Sequence, residues 1–202
     1  CLNVGQCLSV EFGTSLGELL DTLQLDVKYP ILAARVNNSY KDLNHKIYKP
    51  ITVEFFDMRH YEGYRVYQRT LSFVMQKASL ELFPDDKLRI RHSLGSGFYA
   101  EFDSLRELSD DQIEMLKGRM HQIAAMAIPI FRTKRLTVDV ITEYERYDFD
   151  DRVELLRTRP HLYSSVNYLG DMPGYFYGPL APDSSYVDHF DVVRYYNGLY
   201  VA

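Results

Sequence analysis

RTLSFVMQKASLELFP, residues 69–84, is the stretch from which the rest of the chain is read. Leu71, Val74, Met75, Ala78 and Leu82 recur at spacings of three and four, while Gln76, Lys77 and Glu81 fall on the other side. That spacing predicts a helix with one apolar face, packed in a core. Thr70 is placed to cap its start, and Pro84 stops it because proline cannot continue the hydrogen-bond ladder. The segment lies where one two-layer unit hands over to another.

On its N-terminal side, Leu2 to Val4 and Leu8 to Phe12 read as short strands around a Gly5-Gln6 turn. Ser15 with Glu18 three residues on forms a capping box for a helix lined by Leu16, Leu19, Leu20 and Leu23. ILAARV after Pro30 has the length of a strand, Asn37-Asn38 suits a tight turn, and Ile51 to Phe56 makes a further strand. Asp57 to Gly63 is a polar connector, which divides the chain into units 1–60 and 61–202.

Beyond Pro84, Leu88 to Ser93 and Phe98 to Phe102 alternate as strands around LGSG. Ser109 and Gln112 form a second capping box, and Ile113, Leu116, Met120, Ile123 and Ala127 carry a helical stripe as far as Pro129. Short helices are expected near Val138 to Tyr144 and Asp151 to Arg157. Strands are expected at His161 to Tyr168, Gly174 to Tyr177 and Asp191 to Tyr195, with a hairpin at Asn197-Gly198.

A chain of 202 residues, 46% hydrophobic and 25% charged, is long enough for one large core or two small ones and is not globally disordered. A net charge of −5 argues against a protein that coats nucleic acid along its whole surface, although local basic patches remain. No apolar run approaches the ~20 residues needed to span a bilayer and no export signal is present, so a cytoplasmic location is expected. Cys1 and Cys7 are too few for a disulfide framework or a metal finger, and Cys1 in place of Met suggests a fragment or a processed chain. The 17 tyrosines, with no tryptophan, could stack bases or sit half-buried on sheets.

The first unit, with AARVNNSYKDLNHKI at its centre, resembles the ubiquitin-like TGS domain of threonyl-tRNA synthetases. RTLSFVMQKASLELFP, GSGFYAEFD and GRMHQIA are similar to segments of the editing domain of threonyl- and alanyl-tRNA synthetases. The fold implied is α+β, a β-grasp followed by an α/β sandwich. In that family a His-x-x-x-His pair faces a Cys-x-x-x-His pair across a hydrolytic cleft; here the four positions are Arg69, Phe73, Phe176 and Leu180. A guanidinium and three apolar side chains supply no nucleophile, general base or ligand set, so no catalytic residue, metal or cofactor is expected within these residues.

The pairing of RTLSFVMQKASLELFP with YFYGPLAP looks most like the N-terminal region of bacterial uridine kinase-like proteins. That resemblance implies a kinase domain, with its ATP, Mg and phosphate-binding loop, beyond Ala202; no G-x-x-x-x-G-K-[ST] occurs in the sequence itself. The implied function is a non-catalytic regulatory or RNA-recognition module, the alternative being an editing hydrolase with a changed mechanism. Candidate ligand or RNA contacts are Arg89, Arg91, Arg132, Lys134, Arg135 and His189, which lies beside Phe190 between Asp188 and Asp191. tRNA, other RNA or the downstream kinase domain are the candidate partners. Asp148, Asp150 and Asp151 read as caps and dipole partners of the helix that follows them.

Overall fold

Ser15 fixes the first element. Its hydroxyl accepts the Glu18 N–H at 3.2 Å while the Glu18 carboxylate accepts the Ser15 N–H at 2.6 Å, and α1 (Leu16–Leu23) follows from this reciprocal cap. The computed structural model describes residues 5, 7–104, 107–159 and 161–202. After α1 come β1 (Ile31–Val36), β2 (Ser39–Lys41) and β3 (Val53–Asp57), an antiparallel sheet in the order β2-β1-β3. Asn37 takes φ 53° in the β1–β2 turn, a left-handed conformation that asparagine tolerates, and its Oδ1 accepts the Thr52 N–H at 3.1 Å.

ILAARV is apolar except for Arg35, which pairs with Glu54, because β1 is covered on both faces. A register shift between Ile31 and Ala33 lets Ile31, Ala34 and Val36 join Leu16, Leu19, Leu43 and Phe55 in one core, while Leu32 and Ala33 join the core around the next helix. Leu8 to Phe12, expected as a strand, is irregular. Its side chains are exposed, Phe12 at 84%, so no buried face holds the segment in a sheet. The strand expected at Leu2 to Val4 lies outside the described residues.

The central helix, α2 (Tyr61–Leu82), is longer than residues 69–84 suggest. It begins at His60, whose Nδ1 accepts the Glu62 N–H at 3.2 Å, so Thr70 lies mid-helix and does not cap it. Gly63 permits this early start. A Cβ there would collide with the Asp57 carbonyl, so the close approach of β3 to the first turn of α2 requires glycine. Phe83 ends the helix, one residue before Pro84.

β4 (Leu88–Leu94) and β5 (Gly97–Phe102) form the expected hairpin, and α3 (Asp110–Ala125) starts at the Ser109–Gln112 capping box. The buried stripe of α3 ends at Ala124. Ala127 is exposed with φ 47°, because the chain turns there into β6 (Ile130–Leu136), a strand not anticipated from sequence. α4 (Thr137–Arg146) and α5 (Asp150–Arg157) follow, then β7 (Tyr163–Leu169), β8 (Met172–Gly174), β9 (Val192–Tyr195) and β10 (Gly198–Val201). α5 has Asp150 and Asp151 in its first turn but no side-chain cap; Asp150 is drawn to Lys87 at 2.6 Å instead. The β9–β10 loop is Tyr196-Asn197, one residue earlier than Asn197-Gly198, with Tyr196 at φ 49°.

Residues after α2 thus hold two antiparallel sheets, β4-β5-β10-β9 and β6-β7-β8. The largest core joins α2 and α3 to the first of them through Phe73, Met75, Leu116, Met120, Phe102 and Leu199, and a smaller one under α4 and α5 holds Tyr144, Leu156 and Val166. The architecture is α+β.

Candidate functional site

The cleft is built from the middle of α2 and the loop after β8. β8 pairs with β7 only as far as Gly174, so Tyr175 to Tyr177, expected to be strand, leave the sheet. Side chains of neighbouring elements take over from the ladder. Phe176 packs on Phe73 with ring centroids 4.8 Å apart, a tilted aromatic contact in which Phe73 is fully buried. Arg69, one turn earlier on α2, donates through Nε to the Pro179 carbonyl at 3.0 Å, and Leu180 is buried in the main core. Thr70 Oγ1 accepts the Ala181 N–H at 3.0 Å. On the opposite side Arg132 donates through Nη2 to the Gly178 carbonyl and through Nε to Asn167 Oδ1 at 3.0 Å.

The pairs Arg69–Phe73 and Phe176–Leu180, more than a hundred residues apart in sequence, therefore share one neighbourhood. Its centre is closed by rings and its rim by two guanidiniums bound to backbone carbonyls. Gly178 makes the closure possible: it sits at φ 101°, and a Cβ there would lie 2.9 Å from Arg69 Nη1. Burial pushes the Arg69 pKa down to about 10, with Arg65 and Arg132 adding in the same direction and Glu62 opposing. Its Nη2 is buried without a hydrogen-bond partner. At neutral pH Arg69 is still a cation, and it offers neither a nucleophile nor a proton acceptor.

The other candidate contacts are spread over the surface. The ring of His189 is 90% exposed beside Asp188 at 3.6 Å, and its carbonyl accepts from Tyr67, so the imidazole does not line the filled cleft. Arg89 pairs with Asp103 and, at 3.8 Å, with Asp151; Arg91 pairs with Glu101 at 2.7 Å. Arg135 is held by Glu143 at 2.7 Å and Tyr168 Oη at 2.9 Å. Lys134 is exposed and forms no ion pair among the described residues. No group of three His, Cys, Asp or Glu side chains able to hold a metal ion occurs among the described residues, and no helix among them is long and apolar enough to cross a membrane.

The basic strand β6, an edge of its sheet, went unread because a run of arginine and lysine looks like a solvated loop. The signal was alternation: Phe131, Thr133 and Arg135 face one way, Arg132, Lys134 and Leu136 the other. A cavity of about 470 Å³ lies elsewhere, between the C-terminal half of α2, β4 and the α4–α5 connection, and includes Arg146 and Arg152, which sequence reasoning did not single out.

No family model matches the chain. Over 191 residues, 94% of its length, it is 29% identical to a threonine–tRNA ligase of Nitratidesulfovibrio vulgaris (strain DSM 19637 / Miyazaki F), of which the match covers 30%. It is 25% identical over 184 residues to a threonine–tRNA ligase of Desulforamulus reducens, and 26% identical over 185 residues to one of Clostridium kluyveri, in each case 91% of this chain and 29% of the ligase. The chain spans less than a third of the length of these relatives. At this modest identity, it is homologous over most of its length to a part of threonine–tRNA ligases.

Proposed function

We propose that this chain is a non-catalytic recognition module, two units at 1–60 and 61–202, derived from the same stock as threonine–tRNA ligases and retaining affinity for tRNA after losing hydrolysis. The observation that carries the reading is the packing of Phe73 on Phe176, 4.8 Å between centroids, where the resemblance places imidazole and thiolate. Two phenyl rings in tilted contact exclude the water that a hydrolysis would consume, and Leu180 adds a third apolar wall. The names of the relatives supply the reason to try tRNA first.

The test is a filter-binding titration with tRNA at several salt concentrations, beside a deacylation assay on seryl-tRNA. Salt-dependent binding and no deacylation are expected. Lys134→Ala should reduce the slope of log K against log salt by about 0.7 if that side chain meets a phosphate of a single strand. Lys134 is the clean probe because Arg132 and Arg135 are engaged in the structure. Deacylation above background, or no salt-dependent binding, overturns the reading. The finer reading places the module ahead of a uridine kinase-like ATP-dependent domain; it rests on the RTLSFVMQKASLELFP and YFYGPLAP pairing, and the coding sequence after Ala202 decides it.

A further inference from the structure

The groove between α2, β4 and the α4–α5 connection has a volume of about 470 Å³, within the range of small-ligand sites. Its walls carry five cations, Lys87, Arg89, Arg91, Arg146 and Arg152. Three are already neutralised: Lys87 by Asp150 at 2.6 Å, Arg89 by Asp103, and Arg91 by Glu101 at 2.7 Å. Arg146 and Arg152 form no ion pair among the described residues. Arg152 is the more constrained. It lies over the Phe149 ring, 4.2 Å from the centroid, and donates through Nη2 to Gln76 Oε1 at 2.7 Å. Nη1 is buried with no partner, and burial lowers the pKa of the group. Ser79 Oγ, in the same wall, is also buried and unpartnered.

A desolvated guanidinium with one nitrogen left unpaired is costly unless something completes it. An oxyanion does so best, since the planar fork of arginine matches two oxygens of a phosphate or carboxylate. We infer that this groove binds a small organic phosphate of about mononucleotide size, its phosphate taken by Arg152 and Arg146 and its body lying along Phe149 and Tyr147, whose rings stack at 5.6 Å. The opposing charges are Asp148, Asp86, which accepts from the Ser104 hydroxyl, and Asp151, which lies 3.8 Å from Arg89 and whose charge also acts on Arg152, against five cations on the same walls. The site is separate from the aromatic-filled cleft and does not depend on tRNA recognition.

The experiment is calorimetric titration of the chain with AMP, adenosine and inorganic phosphate. AMP should bind with a dissociation constant of about 1 mM or below, inorganic phosphate more weakly, and adenosine not measurably. Arg152→Gln should abolish AMP binding and Arg146→Gln weaken it about tenfold. Asp148→Asn should tighten it, and asparagine accepts the left-handed φ of 52° at that position. Arg146 and Asp148 are exposed, so their variants fold even if Arg152→Gln does not. Absence of AMP binding up to about 10 mM, adenosine binding as tightly as AMP, or an Arg146→Gln variant indistinguishable from wild type overturns the inference.

Discussion

Thr70 joins two segments 111 positions apart through a single hydroxyl. Its Oγ1 donates to the Val66 carbonyl at 2.8 Å and accepts the Ala181 N–H at 3.0 Å, with the residue wholly buried. Valine has the same shape but no acceptor, so Thr70→Val leaves the Ala181 N–H unpaired at a cost of about 1–3 kcal/mol. Urea denaturation should show that loss as a lower midpoint with an unchanged slope, and Thr70→Ser should recover most of it. A Thr70→Val protein as stable as wild type would mean that the Ala181 N–H finds another partner. Read along the sequence, Thr70 looks like a helix cap, because the acceptor role belongs to a loop that folds back from far down the chain. Phe73 and Phe176 were legible only as residue types; their ring contact is a tertiary fact.

The joint between β3 and α2 is held by one carboxylate. Asp57 ends the strand, 2% exposed, and accepts from Arg59 through the backbone N–H at 2.9 Å, Nε at 2.9 Å and Nη2 at 2.5 Å. The Arg59 side chain, by its hydrogen bonds first and its charge as well, holds the Asp57 carboxyl below its ordinary value of 3.8, against the opposing effect of burial. A depressed carboxylate stabilises the fold above its unfolded pKa, and that stability is lost as pH falls through the folded value. Stability contributed by this joint should therefore be constant from about pH 5 upward and drain away below about pH 4. Thermal melts of wild type and Asp57→Asn across that window check it: their difference should shrink toward acid pH, and a constant gap would assign the acid loss to other carboxylates. Capping boxes at Ser15 and Ser109 were legible because both partners sit three residues apart. The start of α2 was not, since His60 is an unusual cap and Gly63 reads as a breaker until the Asp57 carbonyl beside it is known.

For the molecule as a whole, β1 links two hydrophobic cores. Its Ile31, Ala34 and Val36 serve the first core while Leu32 and Ala33 pack with Val66 and Tyr67 of α2 in the second. The chain should thus unfold as one transition, with circular dichroism and the fluorescence of its 17 tyrosines coinciding. Residues 61–202 made alone should fold but denature at lower urea, since losing the cover of Leu32 and similar side chains costs about 1.5–3 kcal/mol each. Two separated transitions in the intact chain would show instead that the shared face contributes nothing. The aromatic closure of the cleft carries a consequence for descent. Because Phe73 and Phe176 fill one space together, a single substitution toward a polar residue at either position leaves the other ring against a void or an unpaired polar atom, and only the paired change relieves both. Such mutual dependence acts as a ratchet: selection acting one codon at a time finds no gradual path from this packing to an open polar pocket.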